Sequence, residues 1–313
     1  KIPYTDMTST ARSNRRTFLT RTGQTAAVLA VSGAAAIAST ETNPVIRIAG
    51  EQVRGIASDS RGRIAVAVDH EVQLFDASGQ FVKKHDVGAA VRAVAFSADG
   101  SLVFALKERV GRITSSIVEV LPVALGRAAV IADIAIASDG RIYCADSGQR
   151  VVWRLNGMGE IVGQIRPSNQ GFLVSKAFFP IECRNDRLIV AEPGRHRIYN
   201  YDLSGRLLSH WGVRSRSASG FAGCCNPVGI ATTDDGRLIT AERGSIRIKA
   251  FQLDGKYVGE LAGPDAFAKQ FVVEGGDFDA LSGCLHGGLD IAVGPDNRIM
   301  VLDRSAKEIR VLS

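Results

Sequence analysis

One pattern recurs six times along this chain, at residues 55–66, 93–103, 133–143, 181–189, 229–239 and 289–300. Each copy is a short apolar stretch, a tight turn of the Asp-Gly-Arg kind, and a second apolar stretch. Such a stretch encodes two β-strands joined by a hairpin turn. A third strand and a further turn follow in most copies, as at 72–79 and 248–255. One unit cannot bury both faces of its strands alone, so the repeats must pack on one another. Four strands per unit at a spacing of roughly 40–60 residues predict an all-β, six-bladed β-propeller. The last repeat ends at 308–313, one strand short, and segment 43–48 ahead of the first repeat can supply that strand. Pairing the two ends closes the ring and leaves no free edge. The second repeat is the poorest match.

The formal charge of +6 belongs mostly to the first 38 residues. Lys1, Arg12, Arg15, Arg16 and Arg21 stand there against Asp6, a net of +4 that leaves about +2 for the remainder. That is too little for a steering field, and no stripe of Lys and Arg interleaves with aromatics. Nucleic acid is therefore not an expected partner.

The segment Ser13-Asn14-Arg15-Arg16-Thr17-Phe18-Leu19-Thr20 precedes an uncharged run from Thr22 to Thr40 and a small-x-small site at Ala36-Ile37-Ala38. It resembles the twin-arginine export motif: Arg15, Arg16, Phe18 and Leu19 match, while Asn14 and Thr20 depart from it. The resemblance implies a signal peptide over 1–38, a mature propeller over 39–313, and a periplasmic or extracellular location. The run is only mildly apolar, whereas a stable span takes about 20 strongly apolar residues, so no membrane span is expected after processing.

An acidic residue ends the second strand of most repeats (Asp69, Asp146, Glu192, Glu242, Asp303), and Arg150, Arg197 and Arg247 open the third. This resembles NHL repeats, with Lys107 departing from the pattern in the second copy. Acid and arginine one turn apart are expected to brace each hairpin by a charge-assisted hydrogen bond.

A four-stranded meander fixes where its loops lie. The connections between blades and the turns between strands two and three share the face where each innermost strand begins, here the top. The tight Asp-Gly turns fall on the bottom. The long insertions 166–177, 213–223 and 263–285 all fall on the top. Loops of that length in a compact domain usually carry function, so the top face is expected to hold a protein partner or a small ligand.

Cys224-Cys225-Asn226-Pro227 and Cys284-Leu285-His286 each stand ahead of an innermost strand, in blades five and six. The propeller brings them to neighbouring places at one mouth. Cys224, Cys225, Cys284 and His286 suit a soft or borderline ion, copper or zinc. An oxidising compartment equally suits a disulfide from Cys284 to Cys224 or Cys225, and unlinked thiols stay open. Similar Cys-Cys-Asn-Pro segments resemble a branch of exported bacterial NHL-like proteins; Val228-Gly229 departs from them. Cys144 and Cys183 sit in strand-like runs and read as buried and inert. His196 reads as a solvated turn residue, and His70, His85 and His210 as surface residues.

Two classes of function follow. The first is an extracytoplasmic binding or scaffold protein working through the top face. The alternative is a metal-dependent hydrolase or lyase, as in propellers of the lactonase and amidating-lyase types. Asp133, Glu182, Asn226 and Asp290 stand where innermost strands start and are the channel-mouth candidates for it. Asp290 also has a plain reading, as a carboxylate bracing its own backbone.

Overall fold

A computed structural model describes residues 44–175, 177–244, 246–267 and 288–312. They form six antiparallel four-stranded sheets. Blade one comprises β2 (Val53–Ser58), β3 (Ile64–Val68), β4 (Glu71–Phe75) and β5 (Phe81–Asp86). Blade two comprises β6 (Ala93–Phe96), β7 (Leu102–Ala105), β8 (Val110–Thr114) and β9 (Ile117–Val120). Blade three follows with β10 (Ile131–Ile136), β11 (Ile142–Asp146), β12 (Val151–Leu155) and β13 (Ile161–Ile165). Blade four holds β14 (Ile181–Arg184), β15 (Arg187–Glu192), β16 (Arg197–Asp202) and β17 (Leu207–Trp211). Blade five holds β18 (Gly229–Thr232), β19 (Arg237–Glu242), β20 (Arg247–Gln252) and β21 (Tyr257–Ala262). Blade six is β22 (Leu289–Val293), β23 (Ile299–Asp303) and β24 (Glu308–Leu312), completed by β1 (Val45–Arg47).

The innermost strands pack side by side in the order β2, β6, β10, β14, β18, β22 and back to β2. The ring is closed, and the chain is a six-bladed β-propeller. β1 pairs antiparallel with β24, Ile46 opposite Ile309, as the unpaired last strand required. Ile48 N–H adds a bond to the Lys307 carbonyl at 2.8 Å.

Among the described residues the core is divided between the blades. The buried apolar residues fall into six clusters, one at each seam between blades. Strand β3 shows why: Ile64, Val66 and Val68 enter the seam with blade six, while Ala65 and Ala67 enter the seam with blade two. A strand buried on both faces has no reason to alternate with polar residues. That is why the second strand of each repeat reads as an unbroken apolar run.

The bottom turns follow hairpin chemistry. The β14–β15 loop is just Asn185-Asp186, with φ of 48° and 55°, the left-handed pair a two-residue turn demands. Close approach governs the inner ring, where a Cβ added at Gly229 would come within 3.2 Å of the Leu289 carbonyl oxygen.

The expected acid–arginine braces are realised differently. Glu242 does pair with Arg247 at 2.7 Å, but Glu192 pairs with Arg195 instead of Arg197. Asp146 ignores Arg150; it accepts from the N–H groups of Val130, Gly148 and Gln149 and from the Trp153 indole. Asp69 accepts from the N–H groups of Glu51 and Gln52 at 2.9 and 2.8 Å. Backbone donors in the connection are fixed in place and need partners, so a buried carboxylate satisfies them more readily than a long arginine does.

Candidate functional site

Three carboxyl side chains meet in the channel. Asp133, the third residue of β10, accepts from its neighbour Ile134 N–H at 2.8 Å and from Ile181 N–H of the next blade at 2.9 Å. Asp290 of β22 repeats the arrangement, accepting from Ile291 N–H at 3.0 Å and Ile56 N–H at 3.1 Å. Each satisfies donors on the channel edge of two adjacent innermost strands. Glu182 of β14 accepts from the Thr232 hydroxyl of blade five at 2.9 Å.

Burial sets their protonation. Removal from water holds Asp133 well above the usual carboxylate range, and the nearby charge of Asp290 pushes the same way. Asp290 is also raised by burial, with Arg304 opposing at 3.8 Å. Glu182 is raised to about 7 by burial, against the pull of Thr232 and Arg184. Burial thus favours the neutral form of all three acids. Among the described residues no group of three His, Cys, Asp or Glu is arranged to hold a metal ion.

These acids face a channel cavity of about 220 Å³, which Ser58, Thr232 and Arg184 also line. Below it lies a mouth cavity of about 540 Å³ among the tight turns. Both share Ser58, Phe96, Ile136, Cys183 and Arg184 as lining. The upper end is tighter, with about 10 Å³ left among Arg54, Arg92, Arg304 and Phe178. Phe178, from the connection 166–180, has the guanidinium groups of Arg243 and Arg304 at 5.5 and 5.3 Å from its ring centre. Two cation–π contacts help hold the ring where it lines the upper end of the channel.

Two of the long connections, 166–180 and 212–228, are held by buried anchors and present exposed tips. In 166–180 the anchors are Phe172, Phe178 and Phe179, and Leu173 is exposed. In 212–228 the anchor Phe221 packs against Phe251 and Trp211, while Val213 stands out in solvent. Lys249 is wholly buried there, donating to the Gly220 and Ala218 carbonyls and pairing with Glu242 at 2.5 Å. Its ammonium also lies over the Phe221 and Phe251 rings.

Asn226 does not reach the channel. Its amide donates to the Ala222 and Arg243 carbonyls and accepts from Arg243 N–H, so it folds the connection instead. His196 is buried rather than solvated, because its Nε2 meets the Gly223 carbonyl at 3.0 Å and ties the blade-four turn to the same connection. His85 is likewise buried, in the outer strand β5, while His70 and His210 are exposed as expected. Cys144 is buried and Cys183 half-buried, both thiols raised by removal from water. Cys224 is exposed, with Arg243 Nη2 at 3.5 Å from its sulfur, and Cys225 is half-buried. Cys284 and His286 lie outside the described residues, as do Arg15, Arg16, Phe18 and Leu19.

The sequence reading missed Arg54, Arg92 and Arg304. Arg54 and Arg92 do stand at the starts of innermost strands, where the other repeats carry small or apolar residues. That contrast was the available signal.

Compared with known proteins, the chain matches no protein-family model and no curated protein. Among solved structures, the fold is similar to a protein of unknown function from Bacteroides thetaiotaomicron, with a TM-score of 0.62 and 17% identity over 87% of this chain and 72% of that one. It is similar to virginiamycin B lyase from Staphylococcus aureus, with a TM-score of 0.59 and 15% identity over 86% of this chain and 98% of that one. A catalytically inactive form of that lyase with quinupristin gives a TM-score of 0.55 and 19% identity, over 86% and 87% of the two chains. At these identities the likeness is one of fold.

Proposed function

We propose that this chain is an exported propeller of the NHL-like kind that works by binding, with its top face holding a protein partner or a small ligand over the channel mouth. One observation carries the reading: the connections 166–180 and 212–228 are pinned from beneath by buried aromatic, histidine and lysine side chains, yet offer exposed tips on one face. Loops fixed in this way lose little freedom when something docks on them. Export rests on the twin-arginine resemblance, and the Cys224, Cys225, Cys284 and His286 set, as a disulfide or a copper or zinc site, rests on sequence placement.

Replacing 213–219 with a short Gly-Ser link tests the binding reading. Capture of partners from periplasmic extract should be lost while thermal unfolding stays nearly unchanged; identical capture by both forms would remove the proposal. Substituting Arg15 and Arg16 together by Lys should hold the chain in the cytoplasm. Metal analysis with a thiol count on natively exported protein separates a metal site from a disulfide.

A lyase or hydrolase is the second reading. Glu182, with its carboxyl raised to about 7 beside a channel cavity, is poised to give or take a proton near neutrality. The structural neighbours include virginiamycin B lyase. Incubation with quinupristin, followed by mass spectrometry for the wild type and Glu182→Gln, tests it. Intact quinupristin in both would count against a lyase of that kind.

A further inference from the structure

We propose that the upper end of the channel binds the oxyanion of a small ligand, a carboxylate or a phosphate group, through Arg54, Arg92 and Arg304. The proposal rests on the top face being the binding face and names the chemistry that face selects.

The three arginines come from three blades to one place. Arg54 lies in β2, Arg92 directly precedes β6, and Arg304 follows β23. All three line the same narrow space beneath Phe178. Their proximity is costly. Arg92 is lowered to about 10, first by burial and then by repulsion from Arg54 and Arg304. Arg54 is lowered by burial and by Arg304.

The described carboxyls at this spot do not balance them. Asp133 already accepts a backbone hydrogen bond at each oxygen, as does Asp290, which meets Arg304 only at 3.8 Å. Three guanidinium groups therefore share this space with two carboxyls whose oxygens are already engaged by backbone donors. Donor capacity is also left over: Nε of Arg54 and Nε of Arg304 are shielded from solvent, with no acceptor among the described residues. Buried donors of that kind call for a partner. Arg92 is held differently, its Nε donating to the Ile131 carbonyl at 2.7 Å across the seam between blades two and three.

Planar forks of N–H donors match carboxylate and phosphate oxygens. The free space among them is about 10 Å³, room for roughly one water-sized group. One anionic oxygen fits between the forks, and the body of the ligand lies above, beside Phe178 and the long connections.

The test is calorimetric titration of the purified full chain at pH 7 in low-salt buffer, with inorganic phosphate and with acetate as separate probes. Saturable one-to-one binding of either is expected, and whichever binds names the source of the oxyanion. Affinity should fall at least tenfold in Arg54→Gln, whose side chain bonds only Gln52 and spans no seam. The same fall is expected in Arg304→Gln, checked by thermal unfolding because that change also releases Asp290. Arg127→Gln, an exposed change on the connection between blades two and three, should leave affinity alone. No saturable binding of either probe, or equal affinity in Arg54→Gln and wild type, overturns the proposal. Partner capture that depends on 213–219 but survives Arg54→Gln with no anion binding sinks the arginine site alone. Anion binding that persists while loop replacement leaves capture untouched sinks the loop-face reading alone.

Discussion

Asp290 accepts a hydrogen bond from the backbone N–H of Ile56, 234 residues earlier in the chain. The bond joins the last blade to the first on the channel side. At the rim, β1 joins them again through β24, and the apolar cluster of Ile46, Val66, Leu302 and Ile309 fills the space between. Asp133 makes the equivalent link from blade three to blade four, where the chain is already continuous.

Asp290→Ala strands two buried N–H groups. A loss of about 2–6 kcal/mol is expected in urea unfolding, each unsatisfied donor costing about 1–3 kcal/mol. Unaltered stability would mean that water replaces the carboxylate and that the inner tie is dispensable.

Excising residues 44–47 removes β1 and leaves one edge of β24 unpaired. The product should elute as higher oligomers in size-exclusion chromatography, since an open edge pairs with another chain. A monomer with the wild-type circular dichroism spectrum would contradict this.

Stability should fall as pH rises from about 4.5 to 7. In the unfolded chain Glu182 loses its proton near 4.5, whereas the folded chain keeps it up to about 7. Between these values the folded state binds more protons, so deprotonation weakens it, by roughly 1–3 kcal/mol once channel water is allowed for. Glu182→Gln should flatten that part of the denaturation profile, and a slope equal to the wild type would reject the assignment.

Lys249→Ala should destabilise by about 3–5 kcal/mol, because Glu242 keeps its burial and loses one of its two cations. Lys249→Met combined with Glu242→Gln should recover much of that loss. The comparison is read from thermal unfolding of the single and double variants.

His196→Ala deprives the Gly223 carbonyl of its partner. A cost of about 1 kcal/mol is expected, with faster proteolysis confined to 212–228. Cleavage spread evenly over the chain would point to a global effect instead.

The architecture could be read from the sequence because each blade states it afresh: β3, β11, β15 and β19 are apolar on both faces, and a turn follows at a fixed place. The closing strand was equally legible, since a ring has to pair its last strand with something. The site was less so. Asp133 and Asp290 were picked out by position, but a carboxylate that caps two backbone donors looks, in sequence, like one that binds a ligand. His196 was misjudged because its partner, Gly223, lies 27 residues away in a connection whose path no local pattern dictates. The arginines escaped notice because their meeting depends on three blades at once.

The pairing of β1 with β24 also constrains assembly in time. β1 precedes every other described strand and β24 follows them, so their pairing closes the widest loop of the described fold. Contacts this distant in sequence make folding slow relative to helical domains of equal stability. Until that contact forms the blades are an incomplete fan of sheets, with the outer edge of β24 unpaired.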